Sequence, residues 1–527
     1  MKYLVSPSRS VVSTTFFLTI LIGLATLATT GCGTSSTSPQ EPVFSGNTSL
    51  HFVLSSAADD RFNRFDLDLQ SLTLTDQAGK KVYLISADQG LEFIHVNSAI
   101  EPWLNVDIPQ QIYTEASATV GTAEFSCVTR TPTGGIDVST FAYGQTPNEN
   151  VTVNLPSPLT ITGKNMALVL ELQVSKSADL SSCYNQDNQY TYSISPTFDL
   201  MPLNLASSPS NSSNGKVSAL DGEVTSIDTA ANSFQIALPQ DFYFDPISVQ
   251  IKTDSNTIYQ GVGSISDLSV GSLLDLDGKL QADGSLIATR IAVPDTDTSN
   301  LSMQTGPIIQ NNGSEPLLLA FGRRQQGYFY DTQRAGIWTP FDYGSSLFQI
   351  SGQFPNLQDL PFVASFNATN IVDGQNVYVT THSQTVTSHP YPQAASITLF
   401  PQTITGSVVA SSQIGTFTEY TVTLAPDALF PTLAVQSGQP TRLDNPDIVN
   451  VYVDANTQKL NTSSLVPGNT LRFYGLVFND NGTLRMDCAE VRDGVASSSS
   501  NNLKPGYAQT TGGRTGSNAV TTTVRSR

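Results

Sequence analysis

The chain is short of the side chains on which metal and nucleophile chemistry draws. Four histidines and four cysteines are spread over 527 residues, and no pair has the close spacing that assembles a closed zinc site. His382 and His389 stand seven apart in THSQTVTSHP with no Cys or carboxylate beside them, and His51 lies in a strand-like run next to Phe52, as a surface or edge residue would. Charge is also scarce: Asp, Glu, Lys and Arg make up 13% of the chain, where about a quarter is usual. Basic residues number 25 against 44 acidic ones, a formal net charge of -19. With no Lys/Arg cluster, the basic face that nucleic-acid binding requires is missing. G-x-S-x-G is absent, and S-x-x-K occurs only at Ser213 to Lys216, inside a Ser/Asn-rich stretch that could not hold a catalytic geometry. No metal site and no cofactor is expected.

Long apolar runs are missing too, with one exception at the start. Lys2 and Arg9 precede FFLTILIGLATLA (Phe16 to Ala28), and Thr29, Thr30 and Gly31 then lead to Cys32. A basic n-region, an apolar core of this length and small residues before a cut are the parts of an export signal. The segment resembles the lipobox of bacterial prelipoproteins, which implies cleavage before Cys32 and acylation of its thiol and new amino group. Thr29 departs from the pattern, which usually has Leu three before the cysteine; Leu27 lies two residues further upstream. Two acyl signals make a stable anchor where one does not. The competing readings are an uncleaved transmembrane anchor, which needs about 18 uninterrupted apolar residues, and an ordinary secretion signal with a chance cysteine. Gly33 after the cysteine, where an Asp would retain the protein at the inner membrane, implies the outer membrane. Residues 1–31 are thus assigned as signal peptide and 32–43 as a polar tether.

What is abundant is strand signal. In RFDLDLQSLTLTDQAGKKVYLI, Phe65, Leu67 and Leu69 alternate with polar residues, and the apolar phase then slips to Leu72 and Leu74. A one-residue slip exchanges the two faces of a strand, so a β-bulge is expected at Gln70 or Ser71. DQAGK is a hairpin connection and KVYLI the returning strand. The class is all-β. The first folded unit spans 44–206 and ends in a Ser/Asn/Pro-rich linker, 207–217. Its FDLDLQSLTLTDQAGKKVYLI hairpin, IPQQIYTEASATVG segment and closing LVLELQVSKS…YSISPTF pair resemble domain of unknown function 4382 of bacterial envelope proteins. That resemblance implies an antiparallel β-sandwich and no chemistry. Cys127 and Cys183 fall in this unit. In an exported protein they can pair, a closure contributing about 4 kcal/mol in the chain-entropy treatment; two buried free thiols are the alternative. Cys488, left over, reads as packed.

Beyond the linker the chain repeats itself. TDSNTIYQGVGSISDLSVGSLLDLDG (Thr253 to Gly278) matches VDANTQKLNTSSLVPGNTLRFYG (Val453 to Gly475): both carry D-x-N-T, and Gly271 and Gly468 each precede an alternating strand that ends at Gly278 and Gly475. The copies open with GEVTSID and GSVVASS and close through DGSL and NGTL turns. A worn third copy places Gly374 ahead of Val377 and Val379. Self-similarity on this scale means tandem modules, here 218–294, 302–404 and 405–493, with a low-complexity tail at 494–527. The first copy, through Gly222, Val224, Ile227, Thr257, Leu268, Gly271, Leu274, Leu276, Gly278, Gly284, Leu286, Ala288 and Ile291, resembles domain of unknown function 5666. The expected fold is a small OB-like β-barrel, which removes sheet edges by curling on itself.

Two stretches could carry function. PDTDTSN puts Asp295 and Asp297 at calcium-loop spacing but lacks the glycine and closing Glu of such a loop, so a solvated linker is favoured over calcium. GYFYDTQRAGIWTPFDYGSSLF is rich in rings, and Tyr328, Tyr330, Trp338 and Tyr343 are candidates for stacking on a ligand, although core packing is favoured for any single ring. The reading of the whole is a non-catalytic, lipid-anchored cell-envelope protein, held to the outer membrane through its N-terminal lipid, whose β-modules bind an envelope glycan or another envelope protein. A structural spacer or coat component without a small ligand is the alternative within that class. A carboxylate-based hydrolase, whose paired acids need not be close in sequence, is the alternative outside it.

Overall fold

The computed structural model describes residues 44–493 except 86, 131–135, 145–148, 179–190, 193, 204, 206–214, 239–246, 294–300, 312–316, 321–323, 327–328, 331–338, 355, 383–390, 435–442 and 461–464. The N-terminal unit contains β1 (Asn47–Ser56), β2 (Phe62–Asp76), β3 (Lys81–Ile85), β4 (Gln89–Glu92), β5 (Glu101–Pro109), β6 (Gln111–Arg130), β7 (Ile136–Gly144), β8 (Glu149–Asn154), β9 (Leu159–Ile161), β10 (Asn165–Leu172), β11 (Thr191–Tyr192) and β12 (Phe198–Leu203). They form one twelve-stranded sheet in the order β11-β7-β6-β8-β12-β10-β1-β5, with β2 paired to β6 and carrying β3 and β4. The sheet is mixed rather than purely antiparallel: β1–β10, β12–β8 and β11–β7 run parallel. β2 and β6 are the longest pair, and their register shifts between Leu69 and Ser71. Gln70 is therefore the bulged residue, and Phe65, Leu67, Leu69, Leu72 and Leu74 all remain buried despite the change of phase. In the β2–β3 turn, Asp76 Oδ1 accepts from the amides of Ala78 and Lys80, at 2.8 Å each, and Gly79 takes φ +80.

β1 and β10 explain the near-continuous apolar run NMALVLEL. Leu50, Phe52, Leu168 and Leu170 face the core of the N-terminal unit. Val53, Ala167 and Val169 face the opposite way, into the core of the first module. Strands covered on both sides carry apolar residues at every position.

That module comprises β13 (Lys216–Asp228), β14 (Ser233–Ala237), β15 (Ser248–Lys252), β16 (Ile258–Gln260), β17 (Leu273–Leu280) and β18 (Leu286–Ala292). The path β15-β14-β13-β17-β18-β16 is closed by β15 pairing with β18. The last module, β27 (Gln402–Ile414), β28 (Phe417–Leu424), β29 (Ile448–Val453), β30 (Gln458–Leu460), β31 (Thr470–Asp480) and β32 (Thr483–Asp493), repeats that path and closes through β29–β32. Between them stand β19 (Leu301–Asn311), β20 (Leu317–Ala320), β21 (Arg324–Gln326), β22 (Phe329–Tyr330), β23 (Thr339–Asp342), β24 (Leu347–Ile350), β25 (Asn376–His382) and β26 (Ala394–Leu399). Here the closing ladder shrinks to one bridge, Asp342 to Gln393, and β21–β22 is an extra hairpin.

The same atoms make the same bonds in each copy. Gly271, Gly374 and Gly468 have φ +89, +95 and +95, a region that costs side-chain-bearing residues and suits glycine. Their amides donate to the carbonyls of Val224, Ile308 and Val408 at 2.8, 2.7 and 2.8 Å, and those three residues donate back to the residue after each glycine. In every copy the first strand bulges immediately beyond that contact. The D-x-N-T segments are equally alike. Asp254 and Asp454 accept from the amides of Asn256 and Asn456 at 2.8 Å. Thr257 and Thr457 Oγ1 donate at 2.7 Å to the carbonyls of Ala288 and Cys488. Gly278 and Gly475 sit at a shared bulge between the last two long strands, where a Cβ on Gly475 would stand 1.9 Å from the Asp487 carbonyl oxygen. Gly475→Ala is therefore expected to destabilise the fold by about 3 kcal/mol, the upper end of overpacking costs. Gly468→Ala meets no atom within 4 Å and should cost only its backbone strain of roughly 1–2 kcal/mol. Denaturant titration of the two variants measures the difference.

Candidate functional site

The first strands of the three modules point at one another. Ser218, Ala219 and Asp221 on β13, Thr305 to Pro307 on β19, and Gln402 and Thr403 on β27 line a common cavity of ≈ 160 Å³. The N-terminal unit supplies the facing wall with Asp60, Phe62, Asn63, His95 and Asn97. Each module carries a glycine two residues before its bulge contact: Gly222, Gly306 and Gly406. At Gly406 a Cβ would lie 2.4 Å from Val422 Cγ1 and at Gly222 2.8 Å from Ile236 Cδ1, so glycine lets the strand lie close to its neighbour as it runs into the junction.

Ion pairs fasten the wall. Arg61 Nε lies 3.1 Å from Asp59 Oδ1, and its Nη1 lies 2.7 Å from Asp427 Oδ2 of the last module. Asp60 Oδ2 accepts from the Leu429 amide at 3.2 Å, at the start of the short helix α1 (Leu429–Ala434). Burial, and then the neighbouring Asp59 charge, push Asp60 well above the usual carboxylate range. Glu92 is pushed up by burial, but hydrogen bonds from the His95 ring and from the amides of His95 and Ile94 outweigh it and hold the carboxyl below its ordinary value. Its two oxygens accept from Phe65 N (3.2 Å), Ile94 N (2.8 Å), His95 N (3.0 Å) and His95 Nδ1 (2.9 Å). His95 Nε2 faces Glu101 Oε2 at 3.1 Å. The His95 ring thus stands between two carboxylates, those of Glu92 and Glu101.

Some polar atoms of the wall have no such partner. Asn63 Oδ1 accepts from Ser126 Oγ at 2.5 Å, while its Nδ2 is buried without a hydrogen bond, as is Thr403 Oγ1. Ala219 has φ +54 and Ser98 φ +62, uncommon values for residues with a Cβ. Ala219 N donates to Asp277 Oδ1 at 2.9 Å, which holds it there.

A second cavity of ≈ 230 Å³ adjoins the first and shares Ala99, Ser218 and Tyr474 with it. Ser98, Glu171, Glu490 and Arg492 line it, and Arg492 lies 3.5 Å from Glu171 and 3.2 Å from Glu490. Burial, then the charges of Asp277, Glu490 and Asp275, raise the Tyr474 phenol far above its usual value. A third cavity, ≈ 240 Å³, lies elsewhere, between Gln353, Asp454 and Asp487. Burial and then Asp454 lift Asp487 to about 7.

The residues singled out from sequence fall differently. Cys32, Cys183, Asp295, Asp297, Tyr328, Trp338 and His389 lie outside the described residues, and of Tyr330 and His382 only the backbone is described. Cys127 is disulfide-bonded, its partner lying outside the described residues. Cys488 is a buried free thiol. Tyr343 presents no face for stacking: it is 7% exposed in the core of the middle module, donates to Asn311 Oδ1 at 3.1 Å and meets Phe348 edge-on. His51 is not an edge residue either, since β1 lies between β10 and β5; it is buried, with Nδ1 2.6 Å from Asn105 Oδ1. Among the described residues no three His, Cys, Asp or Glu side chains gather to hold a metal ion, and no helix is long and apolar enough to cross a membrane. Asn63, His95 and Thr403 escaped sequence reading because segments far apart in the chain bring them together. TGPI at 305–308, aligned with DGEV and TGSV, was the available signal for the module strands.

Comparison with known proteins adds one assignment. The profile of a domain of unknown function (DUF5666) matches residues 221–292, the first module from Asp221 to the end of β18. No curated protein matches. Among solved structures, a glycoside hydrolase of family 32 from Bifidobacterium adolescentis aligns at 9% identity over 85% of this chain and 67% of its own, with a TM-score of 0.12. A likeness that weak carries no argument about fold or activity.

Two outcomes are expected. Ala219→Gly should stabilise the protein by about 0.5 kcal/mol, the left-handed strain of roughly 1–2 kcal/mol less the added backbone entropy of roughly 0.5–1 kcal/mol, read as a higher denaturation midpoint. For Asp487 the folded pKa, about 7, exceeds the unfolded value of about 3.9, so the folded state holds an extra proton between them. Its contribution to stability is complete below the lower value and is lost as pH rises through the upper one. Asp487→Asn should accordingly outlast the parent protein most clearly at pH 8, and the gap in denaturation midpoint should shrink towards pH 4.

Proposed function

We propose that this chain is a non-catalytic cell-envelope protein, tethered to the outer membrane by acylated Cys32, which binds an envelope glycan or protein at the cavity where its four β-units meet. The observation that carries this reading is the convergence itself. Three repeated modules and the N-terminal unit each contribute lining residues to one space, and binding sites occur preferentially where domains meet. A binding role accords with the state of the acids. Glu92 spends both oxygens on four protein donors, which does not leave it poised for proton transfer.

Two measurements test the two halves of the proposal. Cys32→Ser should move the protein from the detergent-extracted membrane fraction to the soluble one, and intact-mass analysis of the parent protein should find an acylated Cys32 at its N-terminus. The full chain should co-sediment with isolated envelope polysaccharide or crosslink reproducibly to one envelope protein in cells, and Ala99→Trp, which fills the junction, should abolish that contact. Binding that survives the filled junction would place the contact elsewhere.

A further inference from the structure

We propose that the glycine bend of the last module, Gly468 with Val409 and Val466 beside it, is an open docking socket for a short apolar segment of another protein that carries a phenylalanine ring. None of the three lines the junction cavity, and the socket does not depend on what that cavity binds.

The three copies of the bend correspond bond by bond. Val224, Ile308 and Val408 each accept from the glycine amide, and the residue that follows each of them, Thr225, Ile309 or Val409, is the bulged one. Two residues before each glycine, the carbonyls of Ser269, Val372 and Val466 accept from the amides of Ser272, Gln375 and Asn469 at 3.0, 3.3 and 3.2 Å. In the middle copy this device is filled. Ile309 and Val372 are each 4% exposed. Ile309 clusters with Leu429 and Leu433 of α1, and Val372 shares a buried cluster with Phe430. The phenylalanine ring lies on the glycine itself, since a Cβ on Gly374 would stand 2.5 Å from Phe430 Cδ1.

The first copy is uncovered and polar there, with Thr225 and Ser269 both in solvent. The last copy is uncovered like the first but apolar like the filled one. Val409 and Val466 are 51 and 46% exposed, Pro467 between Val466 and the glycine is exposed as well, and a Cβ on Gly468 would meet nothing within 4 Å. Single apolar side chains on a surface are ordinary. Two of them at the positions that grip a helix in a sister copy, around a glycine left open, form a socket. The filled copy also shows what enters: a short helix whose ring rests on the glycine while aliphatic groups pack beside it. Recognition of that kind draws its affinity from apolar anchors, with the aromatic one foremost. A second copy of this chain has no such helix to lend, because Leu429, Phe430 and Leu433 are buried in their own fold. The segment therefore belongs to a different protein.

The probe is the peptide PDALFPTLA, which copies residues 426–434, labelled and titrated by fluorescence polarisation against the full chain in detergent. It should bind saturably with a Kd of about 1 mM or tighter, and replacing its phenylalanine by alanine should weaken it about tenfold or more. Val466→Asp should weaken it to the same degree and Val409→Ser about threefold, both with an unchanged melting temperature because the sites are exposed. Val270→Asp, at an exposed apolar residue of the first module, should leave binding as it was. Benzoylphenylalanine in place of Val409 should photo-crosslink to the peptide and, without it, to nothing in the purified protein. No saturable binding, indifference to Val409 and Val466, or an equal loss with Val270→Asp overturns the socket. A crosslink to residues 494–527 or to a second copy overturns the assigned partner.

Discussion

The exchange of backbone hydrogen bonds between a positive-φ glycine and the first strand of each module is the constraint on which the molecule turns. Gly271, Gly374 and Gly468 donate to the carbonyls of Val224, Ile308 and Val408, whose amides donate back to the carbonyl of the residue after each glycine. Each first strand bulges there and bends away. The bend lets that strand pair with two neighbours on diverging courses, which is what a strongly curled sheet needs. It also fixes where the strand's other end emerges. Each module presents part of the segment before its bend to the junction cavity, where the packing of the modules on one another brings these segments together.

Around the junction the modules are not interchangeable. In the first, buried Arg290 lies between Asp275 and Asp277, with Nη2 at 2.7 Å and Nε at 2.5 Å. At the matching positions of the last, Glu490 replaces the arginine, Arg472 replaces Asp275 and Tyr474 replaces Asp277, by the pairing of the last two long strands. Since Asp275 and Asp277 act on Tyr474, these two faces lie against each other with their charges exchanged. Buried ion pairs contribute little net stability but penalise misplacement strongly. An inverted pattern therefore favours one docking arrangement over the alternatives that repeated modules would otherwise allow.

Much of the architecture could be read from sequence because it is written in local chemistry. The slip from Leu69 to Leu72 marks the bulge at Gln70. D-x-N-T encodes a turn closed by its own Asp and Thr, and even the worn copy kept Gly374, because a positive φ leaves no good substitute. The parallel pairs of the N-terminal sheet were not legible, since β1 and β10 are joined by contacts across more than a hundred intervening residues. Nor was the candidate site. Asn63 and Thr403 are ordinary polar residues on strands whose meeting is a matter of tertiary packing. Tyr343 follows the commoner fate of a ring in such a stretch: a phenol whose hydroxyl finds a buried Asn311 packs in the core rather than presenting a face for stacking.

The double-faced burial of β1 and β10 has a bearing on how such a chain can evolve. Val53, Ala167 and Val169 give the first module part of its core, Gly374 of the middle module lies where a side chain would strike Phe430 of the last, and Leu476 and Phe478 of the last module sit in the core of the middle one. Modules copied in tandem begin as separable beads, free to be lost, gained or shuffled. Once each has lent hydrophobic residues to its neighbour, deletion of any one uncovers the others. The lineage is then committed to this number of repeats in this order, and change is confined to loops, insertions such as the β21–β22 hairpin, and the space the repeats enclose.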